Sequence, residues 1–449
     1  MKPLRIGLAG ILSGILLGLS YLPWSPILTA FVAIVPLLYV LPKIKALPMI
    51  AVALLANLIA FGIGDWAVWQ RLGALSGTGI WLLQAAIMTL PWALGHLIYH
   101  RHNPKLGYIS MVSTWLMLEW AQAQFLGTWS GIQLGMAPIW VPVLLQWYAF
   151  LGVTGGTMWI LALNIQITRY LWPAEAHTRK SALYSGLAVL LLPVLISWGM
   201  WMMYAAYYED NSDVQIAVFS PSAEFHQPEL EPVFSHIILT NNDGKGQSYF
   251  KSKYTNMSIL AGEGQISNTF FYQIGVDTLK VLKYKSANAN FESLSSQQLL
   301  ISDIMGISQR HWQLADWPGG KTGMLNNSTL LRAEAVRIYA KQGSVLICAL
   351  SPPEKQDGWY LQRQQAHSVA RAIELRRPVL CSTFDGELLS VKGSGAYRIM
   401  KIDRQLGALI ISNSRDSFFS NYGDLIGRLS IFVSIWLALA TIVKPFRKK

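Results

Sequence analysis

Charged residues are scarce in this chain of 449 residues. Asp, Glu, Lys and Arg make up 13% of it, whereas hydrophobic residues make up 52%. Soluble domains carry about 25% charged residues, so this composition excludes a chain that is soluble along its whole length. A large part of the sequence is therefore expected to meet lipid rather than water.

Cysteine is almost absent as well. Cys348 and Cys381 are the two cysteines of the chain. Two thiols do not make a disulfide framework, although a single bridge stays open as an alternative; two buried apolar thiols are the favoured interpretation. The sequence also lacks the Gly-x-Ser-x-Gly elbow, the His-Glu-x-x-His pair and the phosphate-binding glycine loop. This excludes the enzyme classes that depend on those motifs.

Eight stretches are long and apolar enough to cross a bilayer. They lie at about 6–22, 26–42, 47–64, 79–98, 107–125, 145–168, 182–203 and 425–443. A long, mostly polar segment separates the seventh stretch from the eighth. The sequence therefore predicts a seven-span membrane domain over 1–203, a water-exposed domain over 204–423, and a last transmembrane helix with a basic tail over 424–449.

The formal net charge of +12 first suggests a nucleic-acid partner. Its positive excess, however, lies in the loops and tails on one side of the predicted spans, whereas the polar insert is nearly balanced. This is the positive-inside pattern of membrane proteins, so no nucleic acid is expected as a partner. The same pattern predicts that both termini are cytoplasmic and that 204–423 lies on the opposite side.

Short strand-like runs alternate with helical stretches in the insert. Buried strands are predicted at 214–219, 237–239, 258–261, 269–273, 345–349 and 378–381, and amphipathic helices at 330–342 and 362–375. These runs combine apolar and β-branched residues, whereas the helical stretches repeat apolar residues every three or four positions. The alternation predicts an α/β domain with one core.

Few side chains in the predicted spans are able to carry chemistry. Glu119 is the one acid inside a predicted span, and such an acid is either functional or paired in helix packing. His96 and His100 stand four residues apart with His102 nearby, a spacing that is able to bind a metal. Because they end a span beside Arg101, polar side chains facing headgroups are the favoured interpretation. We expect neither a metal nor a cofactor.

Several short motifs stand in one order along the chain. They are Leu22-Pro23-Trp24, Leu118-Glu119-Trp120, Gln146 followed by Gly152-Val153-Thr154-Gly155, Asn164, and a run from Ala370 to Pro378. Together they resemble the apolipoprotein N-acyltransferase family, and the divergent conjugal-transfer branch in particular. The resemblance implies about eight spans with an α/β nitrilase-like (carbon-nitrogen hydrolase) domain, an αββα sandwich, on the periplasmic side of the bacterial inner membrane.

The resemblance also implies a Glu–Lys–Cys triad. In such a triad the Glu takes the thiol proton, the Cys forms a thioester with a phospholipid acyl chain, and the Lys stabilises the oxyanion. The Glu corresponds to Asn242 or Asn241, and the Lys corresponds to Lys285. In the favoured register the Cys corresponds to Asn326 or Asn327. The positions of the base and the nucleophile then both hold asparagine.

Three functions remain open at this stage. The favoured one is a non-catalytic factor with a degenerate triad, which binds membrane phospholipid or lipoproteins or assists assembly, alone or beside a conjugative export apparatus. The alternative is an active N-acyltransferase in which Cys348 is the nucleophile and Lys285 its electrostatic partner. A transporter is the third interpretation. Glu119 and Gln146 are the candidate functional residues at the membrane face.

Overall fold

A computed structural model of the chain describes the helices of the membrane part and a set of strands and helices in the insert. The described residues are 1–125, 132–173, 176–208, 214–219, 236–239, 258–265, 268–274, 279–284, 314–317, 320–350, 358–382, 387–401, 406–410 and 416–443. The chain divides into two compact units. The first comprises Met1–Gln122, Ile132–Ser197 and Asp424–Lys449, and the second comprises Ala123–Gly131 and Trp198–Gly423.

The first unit is built from helices. In chain order these are α1 (Pro3–Ser20), α2 (Ile27–Ala30), α3 (Val35–Val40), α4 (Ala46–Gly64), α5 (Ala67–Ile87), α6 (Leu90–Arg101), α7 (Pro104–Phe125), α8 (Tyr148–Leu171) and α9 (Ala176–Tyr208), with α13 (Leu425–Val443) at the end of the chain. Short 3₁₀ turns at Leu134–Met136 and Pro142–Leu144 lie between α7 and α8.

Six apolar helical segments among the described residues are long enough to cross a membrane. They are α1, α4, Gly73–Arg101, α8, His177–Met203 and α13. The predicted span at 26–42 is broken into short helices, because prolines at its start, middle and end interrupt helical hydrogen bonding. The predicted span at 107–125 is one helix, α7, which is not among the six. The chain is thus a polytopic membrane protein.

Helices α1 and α4 approach each other closely through glycine. A Cβ atom at Gly14 would stand 2.7 Å from the carbonyl oxygen of Ala56 and 2.8 Å from the Cβ of Ile59. Gly10 and Gly18, one turn away on either side, are equally constrained by α4. Small residues at this spacing let two helix backbones pack tightly where lipid offers no hydrophobic driving force.

The second unit contains two mixed sheets. Its described strands are β1 (Val214–Phe219), β2 (His236–Leu239), β3 (Ser258–Gln265), β4 (Asn268–Ile274), β5 (Leu279–Tyr284), β6 (Leu314–Trp317), β7 (Gly320–Asn326), β8 (Ser344–Leu350), β9 (Val379–Ser382), β10 (Glu387–Val391), β11 (Tyr397–Lys401) and β12 (Leu406–Ile410). One sheet has the order β12-β1-β2-β3-β4-β5 and the other β11-β10-β9-β8-β7-β6.

The two sheets share one pairing pattern. Each has three neighbouring parallel strands, β1-β2-β3 in one and β7-β8-β9 in the other. Antiparallel strands flank each trio, one on one side and two on the other. Helices α10 (Ala333–Lys341) and α11 (Gly358–Leu375) connect the parallel strands β7, β8 and β9, and a short helix α12 (Phe418–Tyr422) precedes α13. The predicted α/β character of the insert is confirmed.

Candidate functional site

Glu119 lies at the centre of a buried hydrogen-bond cluster on α7. One carboxylate oxygen, Oε1, accepts from the indole nitrogen of Trp115 at 2.8 Å and from the backbone N–H of Leu134 at 3.0 Å. The other, Oε2, accepts from the hydroxyl of Thr157 at 2.6 Å. Since Glu119 is 2% exposed, the cluster replaces the water that a carboxylate otherwise requires.

A second layer of contacts ties this cluster to the start of α8. The Thr157 hydroxyl also accepts from the backbone N–H of Gly135 at 2.8 Å, and the Tyr148 hydroxyl donates to the Gly135 carbonyl at 2.6 Å. A Cβ atom at Gly135 would overlap the backbone of α8. Glu119 and Thr157 therefore fix the 3₁₀ turn at Leu134–Met136 against α7 and α8.

Gln146 belongs to a separate set of contacts. Its side-chain amide donates to the Pro142 carbonyl at 2.7 Å, and its backbone N–H donates to the Ser197 hydroxyl at 2.7 Å. Gln146 is fully buried. The structure therefore places the two predicted membrane-face residues, Glu119 and Gln146, inside the helical unit, where each holds irregular backbone between α7 and α8.

The histidines at the end of α6 make contacts with protein groups. The Nε2 atom of His96 lies 2.9 Å from the carbonyl oxygen of Ile44, and the ring centroid of His100 lies 4.4 Å from that of His96, with the two rings tilted by 50°. The Nε2 atom of His102 lies 3.5 Å from the Thr441 hydroxyl of α13. Among the described residues no group of three or more His, Cys, Asp or Glu side chains is arranged to hold a metal ion.

Both cysteines of the chain lie inside strands, and neither takes part in a disulfide. Cys348 stands in the central strand β8, opposite Met324 of β7 and Leu380 of β9, and Cys381 stands opposite Ala349. Each is 0% exposed. Burial raises the pKa of the Cys348 thiol well above its usual range, and it raises the pKa of Cys381 to about 12. At neutral pH both are protonated, which is the unreactive form of a thiol.

The triad positions are only partly within the described residues. Asn326 is the last residue of β7, where the strand gives way to a 3₁₀ turn at Asn327–Leu331. In the sheet it pairs with Leu350, two positions beyond Cys348 along β8. Asn242 and Lys285 lie outside the described residues. The structure therefore describes two of the four proposed positions, on neighbouring strands.

Asn326 and Cys348 occupy different kinds of position. In parallel sheets, side chains that act on substrates commonly stand where a strand ends and a turn begins, because the sheet then presents them at an open edge. Asn326 is the last residue of its strand. Cys348 lies two residues inside its strand, with a partner strand on each side.

The motif Ala370–Pro378 forms a buried structural element. Arg371 and Glu374 of α11 are an ion pair with 2.8 Å between Nη1 and Oε2, and both side chains are 1% exposed. Arg377 donates to the Ser344 carbonyl at 2.7 Å and pairs with Asp416 at 2.7 Å. These charges join α11 to β8 and to the segment before α12.

The sequence did not single out Asp424, and it placed Thr154 only within the motif Gly152–Gly155. The carboxylate of Asp424 caps the N-terminus of α13 by accepting from the backbone N–H of Gly427 at 2.8 Å, and it also accepts from the hydroxyl of Thr154 on α8. The signal was present in part, since an aspartate directly before a long apolar run is a common N-cap. Its partner on α8 is 270 residues away in sequence, so only the fold reveals the pair.

These features define a polytopic membrane protein with an α/β insert before its last helix. Residues 13–166 match the family described as "Apolipoprotein N-acyltransferase N-terminal domain". The resemblance to the apolipoprotein N-acyltransferase family is thereby confirmed for this region. The comparison with curated proteins found no match.

One solved structure that resembles the chain is described as "Crystal structure of carbon-nitrogen hydrolase from Helicobacter pylori G27". The identity is 12%, and the likeness covers 49% of this chain and 94% of that one, with a TM-score of 0.28. A TM-score of this size carries no conclusion about the fold or activity of this chain.

Proposed function

We propose that this protein is an apolipoprotein N-acyltransferase-like membrane protein that binds phospholipid or lipoprotein acyl chains without transferring them through a cysteine. One observation carries the proposal: both thiols of the chain are wholly buried within strands of the sheet. A thioester nucleophile must ionise and reach its substrate, and burial opposes both. The position that the favoured register assigns to the nucleophile holds Asn326, which forms no thioester.

The same proposal includes the finer organisation. In this proposal the chain has eight spans and consists of domains with the bounds 1–203, 204–423 and 424–449. It lies in the bacterial inner membrane with both termini cytoplasmic. The two six-stranded sheets of the insert then face each other as the halves of an αββα sandwich on the periplasmic side. Support comes from the placement of positive charge in the loops, from the matched pairing pattern of the sheets and from the family of residues 13–166. A role beside a conjugative export apparatus rests on the resemblance alone.

Mass spectrometry of the purified full chain tests the absence of catalysis. The chain is incubated with phosphatidylethanolamine, digested and searched for an acyl group on either cysteine. We expect no acyl adduct in the wild type, in Cys348→Ala or in Cys381→Ala. A stable adduct that disappears in Cys348→Ala, but persists in Cys381→Ala, would falsify the proposal and establish the active N-acyltransferase instead.

A binding measurement tests the other half of the proposal. We expect a diacylated lipopeptide with a fluorescent label to bind the full chain saturably in detergent, and the same peptide without its acyl chains to bind at least tenfold more weakly. Equal binding of the two peptides would show that acyl chains are not the recognised group. Maleimide labelling under the same conditions serves as a control for folding, because both cysteines react only when the second unit is unfolded.

A further inference from the structure

An apolar groove lies between α7, α8 and α13. Its cavity volume is about 340 Å³, and its walls include Val112 and Leu116 of α7, Ala162 of α8, and Leu429 and Val433 of α13. All of these belong to the first unit. We call it the α7–α8–α13 groove.

The polar atoms in the lining are unevenly arranged. The hydroxyls of Ser113 and Ser430 donate to backbone carbonyls of their own helices, at 3.2 Å and 2.6 Å. Hydroxyls bonded in this way leave the wall effectively apolar. Tyr108 and Gln166 are the other polar lining residues. Tyr108 lies near the beginning of α7 and Gln166 near the end of α8, so one end of the groove is polar and the remainder is not.

Positive charge stands at that polar end. Arg169 donates from Nη1 to the Gln166 side chain at 3.1 Å. The guanidinium of Arg179 lies 4.9 Å above the ring of Tyr170. Lys105, one turn before Tyr108 on α7, is exposed. The described segments 99–108 and 162–173 contain no Asp or Glu, so the charges within these two segments are all positive.

The length of the groove matches one leaflet. Met158 and Gln166 mark its extent along α8, and eight residues of helix rise about 12 Å. Half of a hydrocarbon core of about 30 Å is about 15 Å. A chain that enters at the polar end therefore reaches close to the bilayer midplane without crossing it.

We propose that the α7–α8–α13 groove binds one acyl chain of a glycerophospholipid whose anionic headgroup contacts Arg169. The apolar wall accepts the chain, and the cations at the polar end select the negative headgroup, as basic clusters beside membrane helices do. The site is separate from the thiols of the insert. Along α7 it extends from Tyr108 to Leu116, which stands one turn before Glu119. Acyl transfer at a cysteine would leave it unaffected.

Native mass spectrometry of the full chain tests this site. The protein is equilibrated in detergent micelles with equal amounts of phosphatidylglycerol and phosphatidylcholine. We expect the wild type to retain one phosphatidylglycerol with at least a tenfold preference. Ala162→Trp fills the groove and should reduce retained lipid at least tenfold, whereas Ala188→Trp, on the exposed surface of α9, should retain it. Equal retention by Ala162→Trp and the wild type would overturn the proposal.

Charge variants provide a test that does not depend on filling the groove. Arg169→Gln should abolish the preference for phosphatidylglycerol, and Arg169→Lys should keep it. Lys180→Gln, which removes an exposed positive charge at the start of α9, is the matched control and should behave as the wild type. A wild type without preference, or an Arg169→Gln variant that keeps it, rejects the headgroup contact. Thermal unfolding of each variant shows whether it folds. If Ala162→Trp does not fold, the result with Arg169→Gln decides the outcome.

Discussion

At the scale of single residues, Glu119 shows how a carboxylate is kept inside a membrane protein. Three donors, from Trp115, Leu134 and Thr157, fill its acceptor positions. An acid within a span is often read as a substrate or ion site. In this chain Glu119 accepts from groups that fix the backbone between α7 and α8, so it positions that segment.

Removing the Glu119 carboxylate is expected to destabilise the helical unit. Glu119→Ala leaves buried donors on Trp115, Leu134 and Thr157 without an acceptor, and each such donor costs about 1–3 kcal/mol. We expect a loss of at least about 2 kcal/mol in the free energy of unfolding, measured in detergent. Glu119→Gln keeps the shape and one oxygen, so its loss should be smaller.

Gln122 provides the control for that experiment. It lies on the same helix, is 5% exposed, and its Nε2 atom has no hydrogen-bond partner in the part of the chain that the structure describes. Gln122→Ala should therefore cost less than Glu119→Ala. Equal losses for the two variants would mean that the Glu119 cluster contributes nothing beyond packing.

At the scale of elements, two helices depend on particular contacts. In α11 a buried ion pair accompanies the apolar face, and in α13 a row of small buried residues, Gly427, Ser430 and Ser434, faces the other helices of its unit. The ion pair stabilises α11, and close approach to neighbouring helices stabilises α13. The sequence shows that Arg371 and Glu374 stand three residues apart on one helix, but it does not show that the pair is buried. It also does not show which helices the small residues of α13 contact.

Breaking the buried pair in α11 is expected to be costly. Glu374→Gln leaves the Arg371 guanidinium buried without its counter-charge, and we expect about 3–5 kcal/mol less stability in chemical unfolding. The matched control is Glu334→Gln in α10. Its partner Arg337 is at the same spacing, with 2.6 Å between Nε and Oε2, but the two side chains are 20% and 17% exposed. That change should cost no more than about 1 kcal/mol; a comparable cost would contradict the role of burial.

Enlarging Gly427 is expected to disturb the packing of α13. A Cβ atom there would stand 2.5 Å from the Cγ atom of Trp120, so Gly427→Ala forces the indole or the helix to move, at a cost of about 1–3 kcal/mol. Gly199→Ala on α9 meets no atom within 4 Å and should be neutral or slightly stabilising. Thermal unfolding of the full chain compares the two.

At the scale of the whole molecule, the sequence predicts the apolar helices and many of the strands well. All six predicted strands, such as 345–349, overlap observed strands. Five of the six belong to the parallel trios, and strands of that kind are commonly continuous apolar runs. Strands such as β7, with the sequence Gly-Lys-Thr-Gly-Met-Leu-Asn, were missed as strands because they carry no apolar alternation. The sequence predicts one unbroken span at 26–42, because the apolar composition of this stretch favours a span more strongly than its prolines oppose one.

The orientation that we propose for the chain rests on its loop charges and is tested with fusion reporters. We expect alkaline phosphatase to be active when it is fused after residue 210 and inactive when it is fused after residue 102, because the positive loops stay on the cytoplasmic side. Green fluorescent protein fused at the C-terminus should fluoresce. The opposite pattern would invert the proposed topology.

The hydrogen bond between Thr154 and Asp424 also has a consequence for biosynthesis. Its two residues are 270 positions apart, and a ribosome adding about 5–20 residues per second needs roughly 15–50 s to make that stretch. Throughout this interval α8 is already made while α13, its partner, is not. Until then, the earlier helices stand in the bilayer without α13, and the side of α8 that later contacts α13 is exposed to lipid or to the insertion machinery. The α7–α8–α13 groove is completed only when α13 is inserted.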